Sequence, residues 1–150
     1  MGHTYSRIHI HLIWATKRRT PWLDAAIRPR LFANVDRVVR NRGGILLAAG
    51  GVADHVHLYV AMPVRLAISD LVAAVKANSS RWIHTSYPER AQFAWQGGYA
   101  AFSVNPTDDR VLREYIRDQE MHHAGMPFTA EYLALLKRHG IAAELRDAIE

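Results

Sequence analysis

The sequence predicts an α+β fold in which helices cover an antiparallel sheet. Segments with a two-residue hydrophobic period alternate with segments of helical spacing along the chain. Their order is strand, helix, strand, strand, helix, strand, followed by further helices. At 150 residues and 49% hydrophobic content, the chain is long enough for one well-buried core. We therefore expect residues 1–150 to form a single domain.

The first strand and first helix occupy the N-terminal third of the chain. Isoleucine and leucine alternate with histidine over Ile8–Ala15, which predicts a strand with one apolar face. Asp24 is a suitable cap for a helix that runs to about Arg42, with its regular part starting at Pro29. Gly43 and the glycine after it end that helix.

A β-hairpin is predicted next. The second strand covers Ile45–Ala49, and the third covers His55–Ala61. Gly50 and Gly51 lie between them and predict a tight connection, because glycine adopts the backbone angles of two-residue hairpin turns.

Three further helices and a fourth strand complete the prediction. Ser69 is a suitable N-cap for a helix to about Thr85, and Tyr99–Val104 reads as a strand. A third helix begins near Pro106, and Thr129 caps a short last helix.

A βαββαβ order closes most simply as a ferredoxin-like, or RRM-like, antiparallel sheet with two helices on one face. Ile8, Ile10 and Leu12 would then meet those helices, as would the valines and leucine of the third strand. The opposite face carries the histidines of both strands. We expect the appended third helix to pack against that face and cover it.

Composition limits the class of protein. The chain has no cysteine, which excludes a disulfide framework and a thiolate zinc site. It has no apolar run long enough for a membrane span and no apparent signal peptide, so we expect a cytoplasmic protein. The net charge of +5 favours polyanionic partners.

Two His-hydrophobic-His elements are candidates for a metal site. His55 and His57 project from one face of the third strand, as do His9 and His11 from the first. Paired imidazoles bind divalent metals, so either pair could serve, and the pattern alone does not choose. Asp54 directly precedes the second pair and could orient an imidazole as an outer partner.

The third helix supplies complementary chemistry. Tyr115 and Gln119 are four residues apart and share one helical face. Gln119 would add an oxygen ligand, and Tyr115 is a nucleophile when a metal or base activates it. Two imidazoles, an amide oxygen and water suit Mg²⁺ or Mn²⁺, although imidazole also accepts Zn²⁺ or Ni²⁺.

These motifs, in this order, resemble the single-tyrosine HUH transposases of IS200/IS605-like bacterial insertion sequences and the related REP-associated tyrosine transposases. The histidine pair followed about 60 residues later by a Tyr-x-x-x-Gln helix is the specific part of the match. The matching segments are Tyr5, His11–Lys17, Asp54–Leu58, Ser80–Ile83, Trp95–Val104 and Tyr115–Glu120, with the two histidines that follow.

The resemblance implies roles for individual residues. It selects His55, His57 and Gln119 as the ligands of Mg²⁺ or Mn²⁺, and Tyr115 as the nucleophile that forms a 5′-phosphotyrosine link to single-stranded DNA. His11 then lies outside the metal motif as an outer partner.

The resemblance also implies partners. These are DNA with hairpin ends and a second copy of the chain, whose tyrosine helix can complete the metal site in trans. Two other readings stay open, a non-catalytic nucleic-acid-binding module and an HUH replication or conjugation nickase.

Further polar residues are candidates for supporting roles. His122 follows the tyrosine helix and is a candidate for proton transfer. Basic and hydroxyl side chains on the first turn and the second helix are candidates for DNA phosphate contacts. These are Lys17, Arg18, Arg19, Lys76, Ser80 and Arg81.

Overall fold

A computed structural model describes residues 2–123 and 126–142 of the chain. Four strands and five α-helices occupy this part of the sequence. In chain order they are β1 (His9–Ala15), α1 (Ile27–Asn41), β2 (Ile45–Val52), β3 (His55–Ala61), α2 (Ile68–Ser86), β4 (Ala100–Ser103), α3 (Asp109–Arg117), α4 (Gln119–His123) and α5 (Phe128–Arg138). None of these helices is both long and apolar enough to cross a bilayer.

The four strands form one antiparallel sheet in the order β2-β3-β1-β4. This is the predicted ferredoxin-like arrangement, in which the two central strands, β1 and β3, are the first strands of the two βαβ units. In the register of β1 against β3, Ile13 lies opposite His57 and Ala15 lies opposite His55. The histidine pair is therefore held in the middle of the sheet, where its backbone pairs on both sides.

One face of the sheet forms the main core with α1 and α2. Alternate residues of β1 and β3 point to it, as the two-residue period predicts. Ile8 was expected on this face but precedes β1 and is 40% exposed. The buried members include Ile10, Leu12, Trp14, Val56, Leu58 and Val60 from the strands, with Leu31, Val35, Leu71, Val72 and Val75 from the helices.

The other face is covered by α5 over β1 and β4. Phe128, Tyr132 and Leu136 of α5 pack on Ile13 and Phe102 in a second apolar cluster. The third predicted helix shares this task, since α3 and α4 lie against β2. The sheet is therefore buried on both sides, and the histidine face is an interior rather than an open surface.

The predicted hairpin turn at Gly50 and Gly51 is wrong. Both glycines lie inside β2, and the turn falls at Ala53 and Asp54. The physical reason lies in packing against the neighbouring helix. A Cβ on Gly50 would lie 2.0 Å from the carbonyl oxygen of Ile116, so α3 can reach the sheet only over a residue without a side chain.

Three predicted helix starts are each displaced by two residues. The Asp24 carboxylate accepts hydrogen bonds from the backbone N–H of Ala26 and Ile27, so α1 begins two residues before Pro29. The predicted caps Ser69 and Thr129 are wrong, because α2 and α5 begin one residue before them and both residues lie inside the first turn. In both cases the first helical residue is an apolar side chain packed on a core, and packing decides the start.

The predicted third helix is two helices. It ends at Arg117, and Asp118 has non-helical angles before α4 begins at Gln119. Tyr115 and Gln119 therefore lie on either side of a break, yet Gln119 Nε2 donates a 3.1 Å hydrogen bond to the Tyr115 carbonyl. This hydrogen bond joins the start of α4 to α3 across the break.

Candidate metal and tyrosine site

The two histidines of β3 lie at the centre of the covered face. His55 and His57 are both fully buried, and their rings lie 5.2 Å apart. Phe128 of α5 stacks on the His55 ring at 4.4 Å, and the Tyr115 ring meets the His57 ring edge-on at 5.6 Å. Strand alternation thus brings the imidazoles together, and two different helices enclose them.

Each imidazole has an outer partner on Nδ1. The Asp54 carboxylate lies 2.8 Å from His55 Nδ1, and His11 Nε2 lies 2.9 Å from His57 Nδ1. An occupied Nδ1 fixes the ring orientation and directs Nε2 towards the interior of the site. Asp54 and His11 therefore lie where outer partners of a metal site would lie, whereas His9 bonds Tyr59 instead.

A carboxylate that the sequence reasoning missed lies at the centre of the site. Glu131 of α5 is 3% exposed. Its Oε1 lies 2.9 Å from His57 Nε2 and 3.5 Å from His55 Nε2. Its Oε2 accepts hydrogen bonds from the Tyr115 hydroxyl and from His123 Nε2, the latter at 3.0 Å. One signal could have revealed it, because Glu131 shares the core-facing stripe of α5 with Phe128 and Tyr132.

Gln119 reaches the same point from α4. Its side chain is 1% exposed, and its Oε1 lies 3.3 Å from His55 Nε2. The ligand atoms of His55, His57, His123 and Glu131 all lie within 4.8 Å of one another. This donor set of imidazole nitrogens, one carboxylate and one amide oxygen is the kind that holds a divalent metal ion.

The protonation states follow from burial and from these contacts. Burial lowers the pKa of His57 to about 4 against the opposing bond to Glu131, so its ring is neutral. Burial would also lower the pKa of His55, but the bonds to Asp54 and Glu131 outweigh it and raise that pKa. Burial alone would raise the pKa of Glu131, yet the hydrogen bonds from the histidines hold it well below its usual range.

The Tyr115 hydroxyl is held as a proton donor. Burial and the bond to the Glu131 carboxylate raise the pKa of Tyr115 well above its usual value. Without a further positive charge nearby, this phenol is a weak nucleophile. A cation at the histidines would supply that charge within reach of the hydroxyl.

The predicted DNA-contacting residues lie outside this cluster. Lys17 and Arg18 are exposed in the turn after β1, whereas Arg19 is partly buried and donates to Thr129 at the start of α5. Arg18 and Arg19 have left-handed φ angles of 57° and 54°, so the turn is tight.

The α2 candidates lie on the opposite face of the sheet from the histidines. Lys76 Nζ donates to the carbonyls of Gln96 and Gly98, and burial lowers its pKa to about 8. Ser80 is half-buried and Arg81 is exposed. DNA contacts by these residues stay predictions, and the side chain of His122 lies outside the described part of the structure.

Comparison with known proteins gives a consistent result. The model of the family described as "Transposase IS200 like" matches residues 4–119. The ISDra2 transposase TnpA of Deinococcus radiodurans is 27% identical over 123 residues, which cover 79% of this chain and 87% of that protein.

Solved structures agree with the sequence match. A transposase crystal structure from Deinococcus radiodurans R1 superposes with a TM-score of 0.65 at 27% identity, covering 79% of this chain and 96% of that one. A REP-associated tyrosine transposase bound to a REP hairpin shares the fold, with a TM-score of 0.57 at 16% identity over 98% of this chain and 78% of that one. With more than half of its length matched by the family model, the chain belongs to the IS200-like transposase family.

Proposed function

We propose that this transposase cleaves and rejoins single-stranded DNA through Tyr115, beside a divalent metal held by His55, His57 and Gln119. The observation that carries the proposal is the meeting of these four side chains, from β3, α3 and α4, in one buried cluster. Neither a nucleic-acid-binding module nor a replication nickase is favoured, given the family to which the chain belongs.

The donor set supports Mg²⁺ or Mn²⁺ as the metal. Amide and carboxylate oxygens suit these hard cations, and imidazole ligands are compatible with Mn²⁺ in particular. When bound, the cation polarises a phosphate oxygen and stabilises the charge of the transition state. Asp54 and His11 keep the two imidazoles oriented with Nε2 inward throughout the reaction.

In the cleavage step, the Tyr115 oxygen attacks the scissile phosphorus and the bond to the 3′-oxygen breaks. The tyrosine loses its proton and the departing 3′-oxygen gains one, leaving a free 3′-hydroxyl and a 5′-phosphotyrosine. In the joining step, the 3′-hydroxyl of a second end attacks the phosphotyrosine and releases Tyr115.

The proposed substrate is single-stranded DNA that carries hairpins at the ends of the mobile element. Support comes from the net charge of +5 and from Lys17 and Arg18, which are exposed in the turn after β1. The structurally similar REP-associated transposase is described as bound to a REP hairpin. A substrate of this kind places the protein in the bacterial cytoplasm, on the nucleoid DNA.

We also propose that the chain works as a homodimer in which the tyrosine helix can act in trans. The resemblance to single-tyrosine HUH transposases supports this proposal, since it implies a second copy of the chain whose tyrosine helix can complete the metal site. Mixing His57→Ala and Tyr115→Phe proteins tests this proposal. Restored cleavage supports action in trans, and two inactive variants that stay inactive together would contradict it.

The covalent adduct tests the central proposal. We expect the purified protein, with Mg²⁺ or Mn²⁺ and single-stranded DNA from the flanks of its gene, to form a species that migrates slowly on a denaturing gel. Tyr115→Phe should bind the same DNA without forming it. If demonstrated binding to flanking hairpins gives no adduct with either metal, the proposal fails.

A further inference from the structure

The carboxylate of Glu131 lies inside the histidine site but comes from outside the family match. The family model ends at residue 119, whereas Glu131 belongs to α5, which starts nine residues later. The carboxylate is 3% exposed, and its ion-pair partners among the described residues are all histidines. A buried carboxylate without a lysine or arginine partner is costly unless a cation or several hydrogen bonds compensate it.

We infer that Glu131 is an additional ligand of the metal held by His55 and His57, and that its second oxygen holds the Tyr115 hydroxyl beside that metal. The inference rests on the proposed function of the histidine pair and adds one residue to it. It makes α5 part of the active site rather than only a cover for the sheet.

The distances fit ligands that share one ion. Neighbouring ligand atoms of an octahedral ion with bonds of about 2.1 Å lie about 3 Å apart. Glu131 Oε1 lies 2.9 Å from His57 Nε2 and 3.5 Å from His55 Nε2, while Gln119 Oε1 lies 3.3 Å from His55 Nε2. These three distances are therefore compatible with ligand atoms at neighbouring corners of one coordination octahedron.

The charge of the ligand set also supports Glu131 as a metal ligand. Two neutral imidazoles and an amide supply no negative charge for a dication, and Glu131 is the buried carboxylate whose oxygen faces both Nε2 atoms. Mg²⁺ and Mn²⁺ sites in proteins usually include a carboxylate oxygen. His123 lies on the other oxygen, Oε2, at 3.0 Å, where it orients the carboxylate.

Apolar packing of α5 fixes the position of Glu131 in the site. Phe128, one turn earlier in α5, stacks on the His55 ring, and Tyr132 stacks on Phe128 at 5.2 Å. The helix is thereby fixed against the site by apolar contacts that do not depend on the carboxylate. Replacing the carboxylate should change metal affinity without displacing the helix.

Calorimetric titration of the metal-free, full-length protein with Mn²⁺ tests the inference without any measurement of activity. We expect Glu131→Gln to weaken Mn²⁺ binding by at least about tenfold. Glu131→His, which restores a ligand of similar reach, should recover much of the loss. Glu89→Gln, an exposed carboxylate on the turn after α2, should bind as the wild type does.

The outcomes separate this inference from the proposed function. If His57→Ala abolishes Mn²⁺ binding while Glu131→Gln leaves it unchanged, the histidine site stands and Glu131 is not a ligand. If Glu131→Gln binds Mn²⁺ more tightly, the carboxylate occupies the place of the metal and the inference is overturned. If His57→Ala itself binds normally, the proposed function fails. Should Glu131→Gln not fold, Glu131→Ala, which leaves no ligand at this position, carries the test, and wild-type Mn²⁺ affinity in that folded variant overturns the inference.

Discussion

Replacing Gly50 by alanine should displace the nucleophile without touching any polar group of the site. A Cβ at this position would lie 2.0 Å from the Ile116 carbonyl oxygen and 2.9 Å from the Ile116 carbonyl carbon. Both atoms are backbone and cannot rotate away. A carbon and an oxygen need more than 3 Å, so α3 must move from the sheet by about 1 Å.

The substitution should lower both the rate of the reaction and the free energy of unfolding. Because Ile116 directly follows Tyr115, the shift moves the hydroxyl by a similar amount from the histidines. A misplacement of about 1 Å in a positioned reacting group costs on the order of 100-fold in rate. Overpacking of this kind also lowers the free energy of unfolding by about 1–3 kcal/mol.

Single-turnover formation of the covalent DNA adduct measures the first effect, and urea denaturation measures the second. Gly97→Ala is the matched control, since a Cβ there would meet nothing within 4 Å and should change neither quantity. DNA binding should survive in both variants. A Gly50→Ala protein that forms the adduct within threefold of the wild-type rate would refute the reasoning, since it would mean that the α3 contact does not position Tyr115.

Three further predictions concern the surroundings of the site. Asp54→Asn weakens the hydrogen bond to His55 Nδ1 and should lower Mn²⁺ affinity, measured by calorimetry, by about 10–100-fold. Unchanged affinity would show that Asp54 does not orient the ring. The pKa of His57 is 6.5 in the unfolded chain and about 4 in the folded protein. Between these two pH values, the unfolded chain therefore binds one proton more than the folded protein does. The free energy of unfolding of the metal-free protein, measured in urea, should therefore fall by at most roughly 3 kcal/mol as the pH falls through that range. Equal stability at the two ends of the range would contradict this prediction. Asp24→Ala removes the cap of α1 and should cost about 1 kcal/mol in the same assay, whereas Asp24→Asn should cost much less; equal losses would argue against capping.

The fold was predictable from the sequence because its strands and helices have clear hydrophobic periods. The alternation in β1 and β3 assigned residues to opposite faces of the sheet, and this was correct from Ile10 onward. The turn at Gly50 was wrong because local turn chemistry and close helix approach both select glycine. Only the three-dimensional position of Ile116 separates these two reasons.

The site was only partly predictable, for a similar reason. His55 and His57 are neighbours in sequence, and Tyr115 and Gln119 share one predicted helical turn, so local spacing was enough to group each pair. Glu131 lies more than 70 residues from the histidines, and its inclusion depends on how α5 packs across the sheet. A charged residue in the apolar stripe of a helix was the local sign of that contact.

The covalent link between Tyr115 and DNA is the central claim, and peptide mass spectrometry tests it most directly. The protein is incubated with flanking single-stranded DNA and Mn²⁺, treated with nuclease and protease, and its peptides are analysed for attached nucleotide. We predict that the nucleotide is found on Tyr115 through its 5′-phosphate. Attachment to another residue, such as Tyr99 or Tyr132, or cleaved DNA without any attached peptide, would contradict the account.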